Sequence, residues 1–373
     1  MNKIIGLVNF HSSPEVAPLT DNRPLGSTSF LARFGLCDFA LSNLCNSGIA
    51  TIGLLVKDHQ RSILKHIGSM DSWLSNTKTG QEIVMYNEGA HLHPESNTDI
   101  NNIRENDWVL YDSSIDYIVI VPAHIVMNID LRPFIKEHIE HEENITVVTA
   151  KIRNLSTQFL HAPVLEVDED GYAIDMKQNS GLEKKAGLCS LGVYIINRTC
   201  LASMIHEVLP MNPYMPFLDL VMSAVKANKY RLKTVVYDGF YRCIDTFPHY
   251  VEYSLGMLEK KNADALFRKD WPIYTLTHDT PPTLYGPQAN INNSYIANGA
   301  VIEGTVINSI IARNVVIGKG AVVKNSIIFS SSHIGEEARV ENAVIDKYAI
   351  ITRGHTVSGS KASPFYAHQG AML

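Results

Sequence analysis

From Ile291 onward, branched aliphatic residues recur every six or five positions: Ile296, Ile302, Ile307, Ile317, Val323, Ile328, Ile334, Val340, Ile345 and Ile351, with Ala312 midway through the one ten-residue gap. An α-helix would need a 3.6-residue period, which is absent. Ala297, Glu303, Gly318, Gly335, Glu341 and Asp346, small or turn-forming, follow many of these positions. This is the hexapeptide pattern of a parallel β-helix, in which one aliphatic per side stacks on the coil below. Residues 288–373 are read as such a left-handed coil. Its strand ladders and apolar ends must be covered, which predicts an assembly surface.

The first 255 residues follow another period. Strand-like apolar runs at Lys3–Phe10, Ala50–Val56, Tyr117–Val121, Ile145–Ala150, Leu191–Ile196 and Leu232–Tyr237 alternate with helical stretches at Asp38–Ser47, Asp99–Asp112, Leu131–Glu142, Arg198–Val208 and Pro216–Ala227. Asp38 is expected to cap its helix and Gly48 to end it. Continuous apolar strands between helices predict an α/β domain over 1–255 with a mostly parallel sheet covered on both faces. Residues 256–287, including the Pro-rich WPIYTLTHDTPPTLYGP, read as a linker lying on a surface.

The chain has 373 residues and a formal net charge of −6, which speaks against a nucleic-acid partner. No apolar run approaches membrane-span length, and MNKIIGLVNF reads as a first strand, not a signal peptide. Five cysteines without a CxxC pair are expected as buried thiols in the cytoplasm, and the 15 histidines show no HExxH spacing, so no metal site is expected.

Pro18-Leu19-Thr20, Arg23, Asp38-Phe39-Ala40-Leu41-Ser42-Asn43 and Asn46-Ser47-Gly48-Ile49 resemble the N-terminal block of bacterial glucose-1-phosphate adenylyltransferases (ADP-glucose pyrophosphorylases). Pro281-Pro282-Thr283, Tyr285-Gly286, Ile296-Ala297-Asn298-Gly299 and Lys324-Asn325-Ser326-Ile327-Ile328 are closer still to the GlgD-type subunit of that enzyme. The resemblance covers nearly the whole chain and is weakest over about 60–115. It implies a nucleotidyltransferase-like, Rossmann-like domain of the GT-A type, followed by the β-helix.

It also implies where catalysis would sit, and there the chain departs from the family. The family's phosphate loop reads GGxGxRL; here it is Phe10-His11-Ser12-Ser13-Pro14-Glu15-Val16, without glycine and with Glu15 in place of the arginine. A carboxylate there repels a triphosphate. The GDHIY aspartate is replaced by Ala123, beside a retained His124, and the aspartate of the DVGT-like motif by Cys243. Magnesium is therefore expected only in a catalytic partner. Lys177, aligned with the lysine of FxEKP, and Ser190, in the SMGIY-like strand, remain as a vestigial sugar-phosphate pocket. Arg33 aligns with a lysine associated with activator phosphates. Arg23 is read as structural.

The resemblance thus implies a regulatory, catalytically deficient subunit that joins a catalytic GlgC-type homologue in a hetero-oligomer, responds to a phosphorylated sugar and serves glycogen synthesis. The competing reading is an active nucleotidyltransferase with a divergent triphosphate site, its carboxylates drawn from Asp245, Asp238 and Asp116. A hexapeptide acyltransferase using His333, the histidine inside the repeat, ranks third.

Overall fold

Leu7, Val8, Val119 and Ile120 are all fully or nearly fully buried although successive side chains along a strand point to opposite faces. This is what a sheet covered on both faces requires. The computed structural model describes residues 3–73, 81–85, 87, 93–182, 185–208 and 210–373; the first two residues of the N-terminal run lie outside these. Among the described residues nine strands form the first sheet. Ile4–Asn9 lies parallel between Thr51–Leu55 and Tyr117–Pro122, and Gln81–Met85 extends that side. Gly187–Asn197 joins antiparallel to Tyr117–Pro122 and itself carries Ile145–Ile152 and Pro163–Val167. Leu232–Val236 adds parallel to Ile145–Ile152, and Ala173–Gln178 antiparallel to Pro163–Val167. The sheet is thus parallel around its first strand and mixed beyond. Its faces feed two apolar clusters, one containing Val8, Val119 and Val148, the other Leu7, Ile120 and Val147.

The helix expected over Asp38–Ser47 spans Cys37–Asn46 and ends on Gly48 at φ 82°. Asp38 does not cap its end from outside; it lies in the first turn, where its carboxylate accepts the Gly35 N–H at 2.9 Å and bonds His66 Nε2 at 2.6 Å. The helix expected over Asp99–Asp112 is two short ones, Asp99–Glu105 and Trp108–Tyr111. No helix among the described residues is long and apolar enough to cross a membrane.

The segment after Gly256 begins with a helix, Lys260–Leu266, and then runs extended over the domain. Its extended part is held by the DFALSN motif: Trp271 Nε1 donates to Asn43 Oδ1 at 3.1 Å, and Tyr274 N donates to Ser42 Oγ at 2.9 Å.

The repeat builds three five-stranded parallel sheets, Leu284–Tyr285 to Ile350–Ile351, Asn290–Asn292 to Thr356–Ser358, and Tyr295–Ile296 to Phe365–Ala367. Ile302, Ile317, Ile334 and Ile351 stack in one inward column, Val306, Val323, Val340 and Val357 in the second, and Ile311, Ile328 and Ile345 in the third. Ile307 is therefore not a core position. It pairs in register with Lys324 and stands on the outer face, because Val306 takes the inward site one residue earlier. Ile311 fills what looked like a gap. At one corner Asn293, Asn308, Asn325 and Asn342 stack with φ of 41°, 46°, 47° and 49°, a left-handed turn that Asn tolerates. Asn293 Nδ2 donates to Asn308 Oδ1 at 3.0 Å and Asn308 Nδ2 to Asn325 Oδ1 at 2.8 Å.

The third sheet is covered from outside by the chain's own α/β domain. Ile310, Ile327, Phe329 and Val344 pack with Leu19, Phe30, Tyr250 and Val251. At the same seam Arg23, 3% exposed, makes a two-pronged ion pair with Asp346 at 2.9 and 2.5 Å, and Tyr366 donates to the same carboxylate at 2.6 Å. A paired, hydrogen-bonded charge survives burial where a lone one would not.

Candidate functional site

A cleft of about 560 Å³ opens beyond the C-terminal ends of Ile4–Asn9 and Tyr117–Pro122, where open α/β sheets place their ligands. Its first wall is the loop after Ile4–Asn9. Asn9 Oδ1 accepts the backbone N–H of His11 at 2.9 Å and of Ser12 at 3.3 Å; Phe10 O accepts that of Ser13 at 3.3 Å. Pro14 has no N–H. Val16 N–H is taken by Thr20 Oγ1 at 3.1 Å. A loop that grips phosphates must aim its N–H groups outward; this one turns them onto itself. Asn9 is held in that role because its Nδ2 donates to Asp99 at 2.8 Å, and Asp99 also accepts the Phe217 N–H at 2.7 Å. Glu15 stands at the mouth, exposed, in an ion pair with Lys57 at 2.7 Å.

The residues present do not fit a divalent cation. Ala123 is fully buried and offers a methyl group where a carboxylate would be needed. Cys243 is buried, and burial, then the charge of Asp245, raises its thiol pKa well above normal, so it is neither ligand nor nucleophile at neutral pH. Asp245 reaches the cleft, but its oxygens are engaged: Leu160 N–H donates to one at 2.8 Å and His249 Nδ1 bonds the other. That contact with Asp245 raises the His249 pKa. Of the other two carboxylates, Asp116 accepts the Lys3 N–H at 2.8 Å at the opposite end of Tyr117–Pro122, and Asp238 lines a separate groove. No pair of free carboxylates converges here among the described residues.

His124 lines the cleft at 8% exposure, and its Nδ1 has no hydrogen-bond partner. Burial lowers its pKa to about 4, the charge of Asp245 offsetting part of the effect, so the ring is neutral at pH 7.

Ser190 is brought into the cleft; Lys177 is not. A bulge between Ser190 and Val193 is turned by Gly192 at φ 70°, and Ser190 Oγ accepts the Gly192 N–H at 3.0 Å. On Ala173–Gln178, Met176 faces the core and Lys177 faces outward, where its ammonium pairs with Asp175 at 2.5 Å. The strand's alternation allows nothing else, and it is Gln178 that lines the cleft.

Arg33 lies at the seam between the domains, exposed, with its guanidinium 5.9 Å from the Phe34 ring. Sequence reasoning took it alone; the structure sets it among other cations. Burial, then the Arg33 charge, lowers the pKa of Arg313 on the β-helix. Burial, then Arg313, His66 and Lys65, lowers His278. Burial, Arg23 and Lys65 act likewise on Lys347. In each case burial is the larger cause and neighbouring positive charge adds to it. His333 is exposed on the coil. Cys37, Asp38 and His66 bring possible metal-ligating atoms within 4.8 Å of one another, but Asp38 is already bonded by Gly35 and His66.

Comparison with known proteins agrees with this architecture. The nucleotidyl transferase family profile matches residues 15–256, and a GlmU-like, C-terminal hexapeptide profile matches residues 283–363. The chain is 28% identical to glycogen biosynthesis protein GlgD of Bacillus subtilis, over 99% of this chain and 96% of that one. It is 29% identical to GlgD of Geobacillus stearothermophilus, over 86% and 83%. The glucose-1-phosphate adenylyltransferase of the same organism is 26% identical, over 82% and 79%. With a matched catalytic-type domain, a hexapeptide coil and GlgD-like similarity along its length, the chain belongs to the nucleotidyl transferase family.

Proposed function

We propose that this chain is a regulatory, catalytically deficient subunit of a glucose-1-phosphate adenylyltransferase, working beside a catalytic GlgC-type homologue to make ADP-glucose for glycogen synthesis. The observation that carries this is the closed phosphate loop. Adenylyl transfer needs donors and a metal aimed at the developing charge on the phosphates. Here Asn9 and Phe10 have taken the donors of His11, Ser12 and Ser13, and Ala123 and Cys243 leave no ligands for magnesium, which only the partner would hold.

What a regulatory subunit needs instead is an effector site able to change a shared interface. The basic groups at the domain seam, the cations Arg33, Lys65 and Arg313 beside His278, suit a phosphorylated sugar: an anion would offset the like charge that adds to burial in lowering the pKa values of Arg313 and His278. Arg33 and Arg313 sit on different domains, so an anion between them draws the β-helix and the α/β domain together. The purified chain should show background ATP–pyrophosphate exchange with glucose 1-phosphate and magnesium. Added to a catalytic homologue, it should co-elute with it and alter its response to phosphorylated sugars. Substantial exchange by the chain alone, or no co-elution and no altered response, would remove the proposal.

A further inference from the structure

We propose that Cys37 Sγ, Asp38 Oδ1 and His66 Nε2 form a site for one zinc ion, beside the domain seam and apart from the cleft. Cys37 and Asp38 stand in the first turn of the helix Cys37–Asn46, and His66 in the last turn of the helix Gln60–Ile67, so an ion there ties the two helices together. None of the three lines the cleft. They are the one group of potential metal ligands that converges in this way among the described residues.

The convergence is on a single oxygen. Asp38 Oδ2 accepts the Gly35 N–H at 2.9 Å, which fixes the carboxylate. Oδ1 is turned to the other two groups, with His66 Nε2 at 2.6 Å and Cys37 Sγ at 3.9 Å, and all three atoms lie within 4.8 Å of one another. Around tetrahedral zinc, bonds of about 2.0–2.3 Å set neighbouring ligand atoms about 3.4–3.6 Å apart. The Cys37–Asp38 separation is already near that; the Asp38–His66 pair must open by about 1 Å. His66 can make that movement, because its side chain is 19% exposed where that of Asp38 is fully buried. Gly35 leaves the ring room: a Cβ there would strike Nε2 at 2.5 Å.

The donor set selects the metal. One sulfur, one imidazole nitrogen and one carboxylate oxygen suit zinc, whereas magnesium and calcium take oxygens. Without metal, burial and then the Asp38 charge keep the Cys37 thiol protonated. On binding, the Cys37 S–H bond breaks, its proton leaves to solvent and the sulfur forms the bond to zinc. His66 gives the lone pair of a neutral ring with its proton on Nδ1. Thiolate and carboxylate together cancel the charge of the ion, so Arg313, which senses Asp38, and Lys65, next to His66 in the chain, meet no added net charge. A water molecule takes the fourth position, as zinc with three protein ligands allows.

The test is titration of the full chain, stripped with chelator and kept reduced, with zinc and with cobalt(II), followed by calorimetry, cobalt absorption and thermal melting. One ion per chain is expected, with a micromolar dissociation constant or tighter and no competition from magnesium. Cobalt should show a thiolate charge-transfer band together with tetrahedral d–d absorption, and zinc should raise the melting temperature. His66→Gln keeps a donor for Asp38, so the stripped variant should melt with the natural chain yet bind zinc about tenfold more weakly or worse. Cys37→Ala should abolish the charge-transfer band, and Cys45→Ser, at the half-buried cysteine of the same helix, should leave it in place. If Cys37→Ala does not fold, His66→Gln decides alone. No binding, a cobalt spectrum without the thiolate band, a band that survives Cys37→Ala, or zinc affinity unchanged in His66→Gln overturns the inference. Each of these results leaves the regulatory proposal standing, because exchange and co-elution do not draw on this site.

Discussion

The loop after Ile4–Asn9 and the seam where Arg33 acts on Arg313 are built in opposite ways. In the loop the backbone donors of three successive residues are consumed internally: Asn9 ties down His11 and Ser12, Phe10 ties down Ser13, and the nearby Lys57 is spent on Glu15. At the seam the cations are left repelling one another, with burial and like charge depressing Arg313 and His278. A self-satisfied site gains stability and loses affinity for a ligand. A frustrated site does the reverse, because the ligand supplies what the fold withholds. The two regions differ most in where unpaired polarity has been kept.

The comparison can be broken in order of effect. The largest is at the buried ion pair that holds the seam closed. Asp346→Ala strands Arg23 at 3% exposure, and breaking a buried pair from one side costs about 3–5 kcal/mol. Chemical denaturation should show that loss and, with it, a blunted effector response. An unchanged midpoint would mean that the domains are held by apolar packing alone.

Next is the acid limb of the stability profile. The His124 pKa falls from 6.5 to about 4 on folding. The unfolded chain therefore binds the proton first as pH drops, and the stability of keeping the ring neutral is present above pH 6.5 and lost between there and pH 4. The size is on the order of 3 kcal/mol by linkage. His11, also lowered to about 4 by burial, adds in the same direction. His249 works the other way: its pKa is raised by Asp245, so its contribution is full below pH 6.5 and fades as pH rises through its folded value. His124→Leu should flatten the acid limb; an unaltered slope would contradict the burial of that ring.

Third, Arg313→Ala should weaken the response to a phosphorylated sugar about tenfold, the loss of one charge-assisted bond, while leaving stability equal or slightly higher because Arg33 is relieved of a like charge. The smallest effect is expected at the loop. Glu15→Arg restores the family's charge at an exposed position, so stability should move by no more than about 0.5 kcal/mol, and exchange activity should stay at background because the loop N–H groups remain tied. Activity gained from that one substitution would show that charge, and not the turned-in donors, disables the site.

Much of this was legible before the structure. Repetition over many coils averages out local ambiguity, so most of the β-helix could be read residue by residue, and the two misplaced positions, Ile307 for Val306 and Ala312 for Ile311, arose where a short corner shifts the phase. The replacements at Glu15, Ala123 and Cys243 were visible because loss of a carboxylate or a glycine is a change of residue type. What could not be read is who bonds to whom across the chain. Asn9 looks like the polar end of a strand until its amide is seen capturing two N–H groups. Arg23 and Asp346 are 323 positions apart. Arg313 reads as a solvated repeat residue until folding sets it opposite Arg33. The outward placing of Lys177, paired with Asp175, could not be read because alignment carries no strand phase, and one residue's shift moves a side chain to the other face.

The asparagine corner of the coil has a chemical consequence. An asparagine in a turn can lose its side-chain amide when the following backbone nitrogen attacks it and expels ammonia; here the following residues are Ser309, Ser326 and Ala343. Here the nitrogens after Asn308, Asn325 and Asn342 each donate, at 3.1 Å, to a serine hydroxyl of the preceding coil. Held along the stack, they are turned away from attack, so the same rungs that fix the shape of the coil also slow its chemical clock.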